Sequence, residues 1–273
     1  MRSLLEKSVL VTGAGRGIGK RLAIGFAQAG AKVGLLARSK TELDLAHLEI
    51  EHAGGVALRL VADVRNYADL SAAAEQFCER FGGIHVLVCA AGVAGPVGPM
   101  AESEPVEWAE AVKVNLIGAM NAMRAVLPHM LERRSGKIIL LSGDGAESPR
   151  VNLSAYAASK AGLVRLAETV AEEVREDNIQ VNCLAPGGTY TSMTDELLRA
   201  QDRAGWRERD QATEIRTTGG VPPEKQIQLA LFLASERSNH ISGKVIHVDD
   251  DWRRLENSNL KPAFFTLRRV EKL

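Results

Sequence analysis

Tyr156 and Lys160 stand four residues apart in Ser154-Ala155-Tyr156-Ala157-Ala158-Ser159-Lys160, a run of helix-forming residues. On a helix, side chains four apart share one face. A phenol holds its proton to pH ~10, and a neighbouring ammonium favours the phenolate and lowers that value. A tyrosine tuned this way gives a proton to a developing alkoxide, or takes one from an alcohol, near neutral pH. The pair alone suits a solvated helix face equally well. Its meaning rests on the elements around it.

The apolar run Ser8-Val9-Leu10-Val11-Thr12 leads straight into Gly13-Ala14-Gly15-Arg16-Gly17-Ile18-Gly19, after which Leu22, Ala23, Phe26 and Ala27 recur at helical spacing. Strand, glycine loop and helix in this order let backbone approach a pyrophosphate and offer it free N–H groups at a helix start. The glycines at 13, 17 and 19 read as TGxxxGxG rather than the tighter GxGxxG. A second strand, Lys32 to Leu36, ends in Ala37-Arg38-Ser39. A carboxylate at that tip would bind the adenosine ribose hydroxyls and repel a 2′-phosphate. Here Ala37 holds the place, and Arg38 and Arg16 supply two guanidiniums suited to a phosphate. The expected cofactor is therefore NADP(H) in preference to NAD(H).

Further strand ends follow. Val56 to Val61 leads to Asp63-Val64, where Asp63 suits an adenine amine or a turn. Val86-Leu87-Val88 leads to Cys89-Ala90-Ala91-Gly92, small residues against which a cofactor could lie. A long helix is predicted from about residue 105 to 134, carrying Asn115. Lys137 to Leu141 ends in Ser142-Gly143-Asp144-Gly145, and Ile179 to Leu184 ends in Ala185-Pro186-Gly187-Gly188-Thr189-Tyr190-Thr191. Residues 192–220 read as one or two helices covering the substrate, or as a solvated excursion. Helix 224–234 and strand 244–248 complete residues 1–251 as one dinucleotide-binding and catalytic unit, with 252–273 a basic extension. Strands alternating with helices predict an α/β fold, a single doubly wound parallel sheet with helices on both faces. Right-handed crossovers then bring every candidate residue to one edge.

Composition restricts the function classes. The chain has 273 residues, 45% hydrophobic and 25% charged, with a formal net charge of zero. No bulk field draws it to nucleic acid or an anionic membrane. No apolar run reaches the length of a membrane span, and the start lacks a signal-peptide core. Cys78, Cys89 and Cys183 lack CxxC spacing. A cytoplasmic chain with reduced thiols and no metal site is expected.

In these motifs, taken in order over roughly residues 5–250, the chain resembles the short-chain dehydrogenase/reductase superfamily, with similarity to its 3-oxoacyl-ACP reductase-like members. The resemblance implies a Rossmann fold and Tyr156 as general acid/base. It implies that Lys160 binds the nicotinamide ribose and tunes the tyrosine, and that Asn115 positions a relay water. Gly13, Gly15, Arg16, Gly17, Ile18 and Gly19 would hold the pyrophosphate side. Arg38, Asp63, Val64, Ala91 and Gly92 would follow the adenosine and ribose, and Pro186, Gly187, Thr189 and Thr191 the nicotinamide end. It also implies a homodimer or homotetramer formed through the helix bearing Tyr156 and Lys160. Three positions depart from the pattern. Cys89 replaces an asparagine, and Val248-Asp249-Asp250-Asp251 replaces VDGG. The catalytic serine aligns with Gly143. Ser142 is the favoured substitute, with Asp144, Ser154, a water or weakened activity as alternatives. The expected activity is ketone/secondary-alcohol interconversion on a small molecule. The competing readings are a nucleotide-binding regulator, or an epimerase or dehydratase on a sugar-like substrate.

Overall fold

A parallel sheet covered on both faces requires strands that are apolar on both sides. The chain provides β1 (Ser8–Thr12), β2 (Lys32–Ala37), β3 (Val56–Val61), β4 (Val86–Cys89), β5 (Gly136–Leu141), β6 (Ile179–Ala185) and β7 (Val245–His247). Every residue of β1, β4, β5 and β6 is buried. The computed structural model describes residues 4–258, 260–261 and 263–268. In it the strands pair in parallel in the order β3-β2-β1-β4-β5-β6-β7.

Alternate residues of each strand feed two layers. Val9, Val11, Leu35, Val88 and Leu184 pack under α1 (Gly17–Gln28), α2 (Lys40–His52) and α9 (Pro223–Ala234), against Phe26, Ile50 and Phe232. Leu10, Leu36, Leu87, Leu140 and Cys183 pack under α3 (Tyr67–Phe81), α5 (Gly118–Arg133) and α6 (Ser154–Glu173), against Phe77, Met123 and Leu163. Each fully buried aliphatic contributes roughly 1.5–3 kcal/mol. Because β1 pairs with both β2 and β4, the crossovers diverge on either side of it. A crevice opens at the carboxyl ends of the strands where the winding reverses. The predicted doubly wound architecture is the one observed.

One local feature differs from the sequence expectation. The long helix is divided into α4 (Pro105–Val112) and α5 by a π-helical turn at Lys113–Ile117. Asn115 at its centre is drawn inward by hydrogen bonds to the backbone of Val93, a cause that helical periodicity does not reveal. Residues 192–220, expected as one or two helices, form α7 (Ser192–Arg199) and α8 (Trp206–Thr218).

The described part of the extension packs on its own chain. Trp252 stacks on Phe232 with ring centroids 5.0 Å apart. The Val245 N–H donates to the Phe265 carbonyl at 2.7 Å, and Arg165 donates to the Leu267 carbonyl at 3.1 Å. The extension thus lies along β7 and α6, and none of its described residues lines the crevice. Residues 259, 262 and 269–273 lie outside the described residues.

Candidate active site

The strand ends at Gly13, Ala37, Asp63, Gly92, Ser142 and Pro186 border one cavity of about 570 Å³. At its first wall, Gly13 takes φ +67, and a Cβ there would stand 2.7 Å from the Ala91 backbone. Glycine is needed for that contact, which draws the loop against the end of β4. No side chain caps the start of α1, so its first N–H groups face the cavity beside Gly15, Arg16, Gly17, Ile18 and Gly19. An uncapped helix start opening into a crevice suits a pyrophosphate.

Arg38, Asp63, Val64, Ala91 and Gly92 continue along the wall. Asp63 is clamped by Arg65, whose Nε donates to Oδ1 and Oδ2 at 3.1 Å, and this bonding holds its carboxyl below the usual range. At the other end Pro186, Gly187, Thr189 and Thr191 line the cavity together with Ser142, Tyr156 and Lys160. Arg21 donates to the Thr189 hydroxyl at 2.7 Å and to the Tyr190 carbonyl at 2.9 Å, fixing the loop after β6. Asn115 stands behind this surface. It is buried, it accepts from the Val93 N–H at 2.9 Å, and it donates to the Ser159 hydroxyl at 3.0 Å. Its bonds hold the segment after Gly92 against α6.

Lys160 donates to the Leu141 carbonyl at 2.6 Å, and its Nζ lies 5.6 Å from the Tyr156 ring centroid. Burial brings its ammonium down to about 8. Burial also pushes the Tyr156 phenol up to about 12, with Arg150 pulling the other way. The sequence expectation was a lowered phenol. Desolvation of the phenolate outweighs the charges around it, so the protonated form is the one present at neutral pH.

The missing serine has a structural counterpart. A Cβ at Gly143 would stand 2.5 Å from the Tyr156 hydroxyl, so the phenol lies where a serine side chain would begin. Of the proposed substitutes, Ser154 is turned away: its hydroxyl accepts from the Trp108 indole at 3.1 Å. Asp144 lines the cavity. Ser142 also lines the cavity, and its hydroxyl is buried without a hydrogen-bond partner among the described residues. A buried hydroxyl with no partner calls for a functional account.

Sequence reasoning missed three polar residues here. Arg150, from the loop between β5 and α6, donates through Nε to Glu208 Oε1 at 2.7 Å and through Nη2 to Oε2. Glu208 belongs to α8 and is 4% exposed. Gln211, one turn further along α8, lines the same end. The pair joins residues 58 positions apart, and nothing local to either marks it.

Residues 7–202 match the model of the short chain dehydrogenase family. The chain belongs to that family, whose members are oxidoreductases using nicotinamide cofactors. It is 34% identical over 244 residues to the 3-oxoacyl-[acyl-carrier-protein] reductase FabG of Thermotoga maritima, covering 89% of this chain and 96% of that one. It is 32% identical over 247 residues to the 5-keto-D-gluconate 5-reductase of Escherichia coli strain K12, covering 90% and 95%. Among solved structures, levodione reductase superposes with a TM-score of 0.83 at 26% identity, over 92% of this chain and 99% of that one. A gluconate 5-dehydrogenase from Burkholderia cenocepacia, in complex with NADP and tartrate, superposes at 0.80 and 31%, over 91% and 95%.

Proposed function

We propose that the protein reduces a polar ketone to a secondary alcohol with NADP(H). The observation that carries this reading is the convergence of Tyr156, Lys160 and the open Ser142 hydroxyl at one end of the cavity that begins at the uncapped start of α1. When bound, a nicotinamide dinucleotide would supply the hydride for the carbonyl carbon. Ser142 donates a hydrogen bond to the carbonyl oxygen and holds it toward the phenol. Tyr156, protonated at neutral pH, gives its proton to that oxygen as negative charge develops there. Lys160, fixed by the Leu141 carbonyl, would hold the nicotinamide ribose. Thr189 and Thr191 shape the cofactor's end of the site. Arg150, Glu208 and Gln211 present charged and amide groups to the substrate, which favours a hydroxylated or acidic ketone over an unfunctionalised ring. The sugar-acid reductase among the relatives agrees with that preference. A nucleotide-binding role without turnover, or an epimerase, has no comparable support.

The test is turnover of NADPH against a panel of keto-sugar acids and 3-oxoacyl thioesters. One alcohol formed per NADPH oxidised is the expected result. Oxidation of NADPH by no member of the panel would overturn the reading.

Two substitutions probe its parts. Arg38→Ala should weaken NADPH by about 1.5–3 kcal/mol, the worth of a charge-assisted phosphate contact, and leave NADH nearly unchanged in calorimetric titration. Ser142→Ala removes a hydroxyl with no partner among the described residues, so its melting temperature should stay put. Its kcat should fall about 10²-fold, the lower end for loss of one oxyanion donor. Equal kcat in the two proteins would remove Ser142 from the mechanism.

Assembly into a homodimer or homotetramer belongs to the same reading. It is supported by the exposed apolar side chains Val106, Ile117, Met120 and Leu131 along α4, the π-helical turn and α5. Sedimentation of the purified chain tests it.

A further inference from the structure

The ribose end of the cavity does carry a carboxylate, supplied from an unexpected place. The tip of β2 has none, since Ala37 and Arg38 stand there. Glu42, in the first turn of α2, lines the cavity in its stead, beside Gly15, Arg16 and Arg38. It lies so close over the glycine loop that a Cβ on Gly15 would stand 2.8 Å from Glu42 Cβ and 3.0 Å from its Oε2. Its backbone is fixed, because the Glu42 N–H donates to the hydroxyl of Ser39, the residue that caps α2, at 3.3 Å.

The two arginines read as phosphate ligands each face a carboxylate. Arg16 Nη1 lies 3.6 Å from Glu42 Oε1, and Arg38 Nη1 lies 4.0 Å from Asp63 Oδ2. The second carboxylate is already spoken for, because Arg65 holds both of its oxygens. Glu42 has no comparable clamp: Arg16, with its side chain 58% exposed, is the cation against it. Of the two acids, Glu42 is the one free to answer a ligand.

We infer that Glu42 sets the selectivity between the two nicotinamide dinucleotides, an inference that rests on the cofactor reading above. Toward a ribose with both hydroxyls free, its carboxylate is an acceptor, a duty more familiar for an acid at the strand tip. Toward a 2′-phosphate, the same carboxylate is a like charge, and it competes with the phosphate for Arg16. The two nucleotides therefore feel Glu42 with opposite sign. The preference for NADP(H) is narrower than two unopposed guanidiniums would make it, and both forms bind.

The test is calorimetric titration of NADPH and of NADH into the wild type, Glu42→Ala and Glu42→Gln, with melting temperatures to confirm folding. Glu42→Ala should tighten NADPH about fivefold, as expected for removing a unit charge a few ångström away in water. It should weaken NADH by roughly three- to tenfold, the net worth of one ordinary hydrogen bond. Glu42→Gln keeps an acceptor oxygen without the charge. It should tighten NADPH to a similar degree and cost NADH less than Ala does. A merely structural role for Glu42 would move both nucleotides in the same direction by the same factor. That result, or no change in either, would overturn the inference while leaving the cofactor reading intact. Failure of the wild type to bind either nucleotide would overturn the cofactor reading, and this inference with it.

Discussion

Tyr156→Phe lowers kcat by roughly 10²–10⁴-fold while the nucleotide still binds, because general acid catalysis by a positioned side chain contributes that much. The substitution removes one oxygen from a buried ring and leaves Lys160 anchored on the Leu141 carbonyl. The hydroxyl forms no hydrogen bond with a described residue, so its loss strands no partner and folding stability should hardly change. The measurement is steady-state reduction at neutral pH beside titration of NADPH. Loss of turnover with unchanged nucleotide affinity assigns the proton to the phenol. Retained turnover would mean that another group delivers it, with Asp144, also on the lining, the candidate. The raised phenol also sets the direction in which pH acts. Reduction uses the protonated form, which persists toward pH 12, whereas alcohol oxidation uses the phenolate and should accelerate as pH rises.

The second large effect is on stability. Glu208→Ala leaves the Arg150 guanidinium, 17% exposed at its side chain, without the carboxylate that bonds it twice. Breaking a buried pair from one side costs about 3–5 kcal/mol, because the remaining charge stays desolvated. In a chain of this size that corresponds to a melting temperature lower by roughly 10 °C, if unfolding is two-state. The double variant Arg150→Met/Glu208→Leu removes both charges and should recover most of the loss. Scanning calorimetry of the three proteins checks this. A single variant that melts with the wild type would show that Arg150 finds another anion, and the pair would then hold nothing in place. Because Glu208 lies on α8, the same substitution should raise KM by loosening the cover over the substrate.

The sheet and its order of winding were legible because they rest on local signals: apolar runs for strands, helical spacing between them, and glycines where the backbone must pass close to itself. Tyr156, Lys160, Ser142 and the glycine loop were legible as one set because each follows a strand that ends on the same side. Arg150, Glu208 and Glu42 were not. Each looks like an ordinary surface charge in its own segment, and its meaning comes from a partner in another element. Glu42 carries a further lesson. The strand tip at Ala37 holds no acid, yet a helix beginning three residues later brings one to the same cavity. Gly143 is similar in kind. As a letter it marks a lost hydroxyl. In three dimensions it marks the room that the Tyr156 hydroxyl occupies, so Gly143→Ser would push the phenol aside rather than restore a donor.

The extension along β7 bears on how copies of the chain can meet. A terminal strand ordinarily offers a row of unsatisfied amides and carbonyls to any neighbour, which invites continuation of the sheet from molecule to molecule. Here the Val245 N–H is taken by Phe265 of the same chain, and Lys244 reaches the carbonyls of Lys261 and Phe264. At the opposite margin, β3 places Arg59 in an ion pair with Asp44, a charge that interrupts its outward row. The polypeptide thus hems its own fabric at one side and studs it with charge at the other. The homo-oligomer proposed above would then form through helices rather than sheet edges.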